Sequence, residues 1–205
     1  MAVVQIIDTL TDWARENVCD KIKLKVPPLP DEPDDAGYEY KLVNPAAFGM
    51  YTPTSEKVPP NVHAPFPSLC VRLLKGQENP AQREGFIDVQ FCFSTWDTGL
   101  HGKDIIQPMG NGVYRRWTGA EANAFFERNG EGWRDAWNFV DIALRELESV
   151  SSIGGYVLDL GTPIEFGPLT EQESIPDFYP FWFAWVSFRI KYPLRRNVEE
   201  IQNYL

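Results

Sequence analysis

The residues able to do covalent or proton chemistry are few and scattered in this chain. It has two histidines, His63 and His101, and three cysteines, Cys19, Cys70 and Cys92. One constellation is conceivable: Cys92 as nucleophile, His101 as base, and Asp97 or Asp104 as the orienting carboxylate. Such chemistry needs thiolate, base and orienter within hydrogen-bond reach. Cys92 stands between Phe91 and Phe93 in a strand-like run, which suits an inert apolar thiol. An odd cysteine number without CxxC spacing indicates neither a disulfide framework nor a zinc site. The HExxH, His-x3-His and EF-hand patterns are all missing from the sequence. Asp31, Glu32, Asp34 and Asp35 could attract calcium weakly, but proline breaks the spacing of the usual loop. A solvated acidic rim is the expectation there. Gly99, Gly102, Gly110 and Gly112 do not match a phosphate loop, and Gly110-Asn111-Gly112 reads as a tight turn. The expectation is a protein with no catalytic residue, no metal and no cofactor.

Charge narrows the partners. The formal net charge is −10, and a general nucleic-acid binder needs clustered Lys and Arg to neutralise phosphate. An acidic wall past which DNA slides is still compatible, because it repels phosphate, and so is plain solubility. His101, Lys103, Arg115 and Arg116 form the most basic loop of this acidic chain. Either it is solvated, or it touches a partner's acidic surface or transient DNA. Met1 to Val26 has polar and charged residues throughout and lacks a signal-peptide pattern. With no apolar run long enough to span a bilayer, no membrane partner is expected.

The elements that must position these residues follow from periodicity. Val3, Ile7, Leu10 and Ala14, widened by Ile6 and Trp13, predict an amphipathic helix from Val3 to Asn17. A short strand, Ile22 to Val26, stops at Pro27-Pro28. Residues 27–67 hold ten of the seventeen prolines, so helix and central strand are not expected there. This segment reads as an extended insertion with Tyr38, Tyr40, Phe48, Tyr51 and Phe66 available for docking. Ser68 to Leu74 and Phe86 to Ser94 alternate as half-buried strands, with Lys75 to Gly85 as their hairpin loop. Residues 97–130 form a second, glycine-rich insertion, with a short helix candidate from Gly119 to Arg128 and Glu121 placed for a capping box after Thr118. The strongest helix runs from Gly132 to Ser149, its stripe being Trp133, Trp137, Val140, Leu144 and Leu147, flanked by Ala136 and Ala143. Tyr156 to Phe166 reads as a strand broken at Gly161 and Pro163. A polar turn at Thr170 to Ser174 precedes the last strand, Trp182 to Tyr192. Residues 194–205 are a C-terminal arm. Together these predict one α+β domain over 1–205: a mainly antiparallel sheet with two amphipathic helices on one face and long loop insertions.

The aromatic cluster Phe178, Tyr179, Phe181, Trp182, Phe183 and Trp185 is the most informative stretch. In the last strand Ala184, Val186, Phe188, Ile190 and Tyr192 share one face. Phe183 and Trp185 then fall on the other, where large apolar side chains mark an interface or need a cover. Phe178, Tyr179, Phe183 and Trp185 are the interface candidates on this reasoning, with His101, Lys103, Arg115 and Arg116 beside them. Burial in the core is the competing reading for the aromatic set.

The stretch from GWRDAWNFVDIALRELE through a glycine turn to YVLDLGTPIEFGPLTEQESIPDFYPFWFAWVSFRIKYP resembles the C-terminal half of the tail-terminator and related minor tail proteins of long-tailed bacteriophages. The shared pattern is an amphipathic helix, a strand ending in Pro163, Ile164, Glu165 and Phe166, an acidic turn, and an aromatic lead-in of Tyr179, Pro180, Trp182 and Phe183. Phe86 to Trp96 and the N-terminal helix are similar too. The segments 27–67 and 97–130 are longer than that family's pattern. The resemblance implies a virion protein assembled in the host bacterial cytoplasm. It would form a hexameric ring at the head-proximal end of the tail tube, stop tube polymerisation and join the tail to the head connector. Its partners would be other copies of itself, the tail-tube protein and the connector or stopper, with DNA passing through the lumen unbound. It implies no catalytic residues. A neck or stopper connector is the nearest alternative; a small cysteine-dependent enzyme and an acidic binding module are the alternatives from other classes.

Overall fold

A computed structural model describes residues 3–27, 41–60, 62, 64–97, 105–110, 113–117, 132–171 and 174–194, with backbone alone described for 105–110 and 113–117. Helix α1 spans Val3–Asn17 and buries Ile6, Leu10 and Ala14, a spacing of four that keeps one face inward. The Asn17 side-chain amide donates to Trp13 O at 2.9 Å and helps close the last turn. Strand β1 (Leu24–Lys25) pairs antiparallel with β2 (Leu42–Val43). Strand β3 (Ala46–Gly49) then runs parallel to β4 (Ser68–Asn79), which pairs antiparallel with β5 (Glu84–Trp96). Part of the proline-rich stretch therefore belongs to the sheet, which corrects the reading of 27–67 as wholly extended loop. Pro45 precedes β3 and Ala46 to Gly49 is free of proline, so four backbone donors are present, and the strand lies at an edge.

Strands β6 (Ile105–Gly110) and β7 (Val113–Trp117) form a separate antiparallel ribbon within the glycine-rich segment. Gly110 pairs with Val113 across the expected turn, whose Asn111 and Gly112 lie outside the described residues. The helix candidate 119–128 and the arm 195–205 also lie outside them.

Helix α2 spans Trp133–Glu148 and buries Ala136, Phe139, Val140, Ala143 and Leu147. This shifts the expected stripe: Trp133 is 39% exposed and Trp137 only half-buried. The two alanines bring the helix close to the sheet, and Phe139 fills the space between, edge-on to Phe93 at 4.8 Å. The tryptophans, too large for that gap, fall to its margin. Gly154 and Gly155, both at positive φ, turn β8 (Ser152–Ile153) into β9 (Tyr156–Leu158). Two consecutive positive-φ residues suit the twist of a tight hairpin. A Cβ on Gly154 would also stand 2.1 Å from Thr9 Cγ2 of α1.

The expected broken strand is two strands, β9 and β10 (Glu165–Pro168), and both pair with one edge of β11 (Phe181–Pro193). The other edge of β11 pairs along its whole length with β5. The sheet order is β3-β4-β5-β11-β9-β8, with β10 beside β11. Every pairing within it is antiparallel except β3–β4. Leu69, Val71, Phe91, Phe93, Val186 and Phe188 join the buried residues of both helices in one core. Among the described residues the fold is α+β: a mostly antiparallel sheet with two α-helices.

Candidate functional site

The described surface has an apolar concavity lined largely by aromatic rings. It is a cleft of about 400 Å³ where α2 begins, β10 ends and β11 starts, lined among others by Trp133, Trp137, Leu169, Ile175, Phe178 and Phe183. Its position follows from strand pairing. β10 covers β11 only from Ala184 to Ser187, and beyond it the chain touches β11 again through Leu169 N–H to Phe183 O at 3.3 Å. Rings fill the step that this leaves. Phe178 meets Phe183 edge-on at 5.6 Å, and Tyr179 meets Trp182 at 6.3 Å. Phe66 reaches Phe181 at 5.1 Å. With Leu169, Phe178 and Phe183, that pair lines an adjoining hollow. Phe178 and Tyr179 are each 45% exposed and Ile175 69%, an apolar area of the kind that marks contact surfaces.

A polar hinge lies beneath the cleft. Trp182 Nε1–H donates to Asp97 O at 2.9 Å, and Asp97 N–H donates to Pro180 O at 3.0 Å. Lys25 Nζ meets Asp97 Oδ2 at 2.6 Å. Gly132 packs onto the same carbonyl so closely that a Cβ would stand 2.3 Å from Asp97 O, so only glycine fits. The chain therefore leaves the sheet at Asp97 for the glycine-rich segment and returns beside it at Gly132. Burial raises the Asp135 carboxyl to about 6, with the nearby Asp97 charge adding to the rise and Lys25 opposing it.

The sequence-derived candidates divide. Phe178 and Phe183 line the cleft, and Tyr179 packs on Trp182 at its wall. Trp185 stands apart from the cleft, half-buried against β10 of the same chain. Its ring lies over Gly167 of β10, where a Cβ would be 3.2 Å from Cζ2, and its Nε1–H donates to Pro168 O at 2.9 Å. The chain itself covers part of that ring. Arg115 and Arg116 stand in β7 opposite Gln107 and Ile106. His101, Lys103, His63, Asp104 and the acidic residues 31–35 lie outside the described residues. Cys92 is half-buried, its Sγ 3.3 Å from Gln90 Oε1, and burial pushes its thiol up to about 11. A thiol held that high is a poor nucleophile at neutral pH. Asp97 lies five residues on, just past the end of the same strand and roughly 16 Å away at strand rise, so it cannot orient a base beside Cys92. Cys19 and Cys70 are buried and their thiols are also raised by desolvation.

Sequence reasoning missed Trp133, Trp137, Leu169 and Ile175 as cleft residues. Both tryptophans had a helical-stripe explanation, which hid them. No helix among the described residues is long and apolar enough to cross a membrane. Neither a protein-family model nor a curated protein matches the sequence.

Proposed function

We propose that this chain is a structural virion protein, a tail terminator. Copies close into a hexameric ring at the head-proximal end of a long-tailed phage's tail tube, stop its polymerisation and present a surface to the head connector. One coincidence carries this reading. The stretch that resembles tail terminators, Gly132 to Pro193, is also the stretch that supplies nearly all of the exposed apolar cleft. Ring subunits need heterologous contacts that close by rotation, and a deep aromatic hollow is one half of such a contact. In this reading both amphipathic helices cover one face of the sheet, which leaves the cleft at the start of β11 for neighbours. The in-register inward residues Leu69, Phe93 and Ala184 support that arrangement. The protein works by assembly, without chemistry, metal or cofactor. An acidic lumen, in keeping with the net charge of −10, lets DNA pass. The lengthened segments 27–67 and 97–130 favour, as a second reading, a neck or stopper ring, where added loops meet a connector.

The test is to add the purified chain to tail-tube protein of the same phage as it polymerises, and to image by negative-stain microscopy. Six-fold rings capping one tube end, with tubes of limited length, are expected. Unlimited tubes with bare ends would sink the terminator reading; rings that bind connector but not tube would favour the second.

A further inference from the structure

Two of the cysteines face each other across the sheet. Cys70 of β4 and Cys92 of β5 are direct cross-strand partners. Strand alternation puts both side chains on the face turned away from the core, because their neighbours Leu69, Val71, Phe91 and Phe93 are buried in it. The backbone bonds fix the kind of pair. Ala46 N–H donates to Pro67 O and Met50 N–H to Val71 O, so the odd-numbered residues from Pro67 to Val71 turn their backbone groups toward β3. Cys70 therefore turns its own toward β5. The two cysteines form a hydrogen-bonded pair, with Cα atoms about 5.5 Å apart. A disulfide bridges Cα atoms about 4.4–6.8 Å apart, so the bond needs no change of register.

The side chains are disposed for it as well. Cys92 Sγ lies 3.3 Å from Gln90 Oε1, and the Arg72 guanidinium and Thr52 hydroxyl hydrogen-bond the Cys70 sulfur. Arg72 and Gln90 are themselves cross-strand partners, so both sulfurs lean the same way along the sheet. Burial raises both thiols, to about 11 at Cys92, and the Arg72 charge opposes the rise at each. The charge of Cys70 adds to the rise at Cys92, which reflects how near the two sulfurs stand. Cys92 is half-buried and Cys70 buried. An accessible thiol to open an exchange and a sheltered one to complete it are the two parts that disulfide formation needs.

We infer that Cys70 and Cys92 are a redox modification site, a dithiol that a low-molecular-weight disulfide such as oxidised glutathione converts to a cross-strand disulfide. Cys92 loses its proton and attacks one sulfur of the small disulfide, whose S–S bond breaks to release one thiol. Cys70 then loses its proton and attacks Cys92 Sγ, and the mixed S–S bond breaks to release the second thiol. One protein S–S bond replaces two S–H bonds, and the small disulfide leaves as two thiols carrying both protons and both electrons. Opposed Cβ atoms at a hydrogen-bonded pair stand at the wide end of about 4.5–5.5 Å, beyond the roughly 3.5–4.5 Å of a disulfide. The strands must draw together slightly, so the bond is readily reversed. The site does not depend on ring assembly. A chain in a reducing cytoplasm carries the thiols, and one released to an oxidising exterior carries the bond.

The test equilibrates the folded full chain with oxidised glutathione in mildly alkaline buffer. The chain is then unfolded in urea with N-ethylmaleimide and its peptides are mapped by mass spectrometry. Alkylatable thiols should fall from three to one, Cys19. The Cys70 and Cys92 peptides should appear joined, two hydrogens lighter than their sum, and dithiothreitol should restore all three thiols. Cys70→Ser should keep glutathione on Cys92, since nothing is left to displace it, and Cys92→Ser should leave Cys70 free. If either serine chain does not fold, the parent chain decides alone. Four outcomes each overturn the site: glutathione retained on Cys92 of the parent chain, a Cys92–Cys92 link between copies, three free thiols after equilibration, or a Cys70–Cys92 link that forms only in urea.

Discussion

Along the side of β11 turned away from Ala184 to Tyr192, the first half carries Phe181, Phe183 and Trp185, and the second carries Ser187, Arg189 and Lys191. Both halves have β5 as neighbour in unbroken register. The polar half finds its partners within the chain. Ser187 Oγ–H donates to Val89 O at 3.2 Å, Arg189 clasps Asp88 through two bonds at 2.7 and 3.2 Å, and Lys191 meets Asp159 at 2.8 Å. The aromatic half is covered by β10 only at Trp185. The rings before it are left in a cleft with partly exposed walls. A surface whose polar groups are already matched gains little from a partner, whereas half-covered rings still have area to take out of water. The contrast locates the contact surface at the start of β11.

Five substitutions sharpen or break the contrast. Phe139→Ala removes the ring packed beneath the aromatic half, and should cost about 3–5 kcal/mol in urea unfolding, the usual range for a buried aromatic. A cost near zero would mean that α2 is not seated on this part of the sheet. Trp185→Ala should cost about 2 kcal/mol, from lost packing on Gly167 and the lost bond to Pro168. If assembly falls while unfolding is unmoved, Trp185 returns to the contact surface.

Asp135→Asn tests the hinge under the cleft through its pH dependence. The folded state holds this carboxyl at about 6, above its ordinary 3.8, so folding takes up a proton between those values. Stability should therefore fall as pH rises from about 4 to about 6.5. The asparagine variant should lack this slope and be more stable at neutral pH by about 1 kcal/mol, a figure discounted for partial exposure. An unchanged slope would assign the titration elsewhere. Arg189→Ala should cost only about 0.5–1 kcal/mol, because its ion pair is partly exposed. Phe178→Ser should change unfolding by less than about 0.5 kcal/mol while lowering the binding of a hydrophobic dye. A large loss of stability there would make the cleft part of the core.

Local pattern made much of this protein legible. Helix α1 stands where Val3, Ile7, Leu10 and Ala14 predict it, although its buried face is centred on Ile6, Leu10 and Ala14 and leaves Val3 exposed, and the inward face of β11 from Ala184 to Tyr192 is buried as alternation requires. The turn at Gly154-Gly155 and the break between β9 and β10 were also readable. Each depends on the backbone habits of a few neighbouring residues. The tertiary structure decided which side of each element had company. Nothing local says that β10 stops beside Ala184, leaving Phe183 in the cleft and Trp185 partly covered. Nor does local pattern show that Ala136 and Ala143 draw α2 inward, so that Phe139 is buried and Trp133 faces the cleft. Nor could it show that Ala46 to Gly49 pairs in parallel with a strand beginning at Ser68. Periodicity reports that a side chain shares a face with others, but burial is set by what packs on that face, and here the packing residues come from distant parts of the chain.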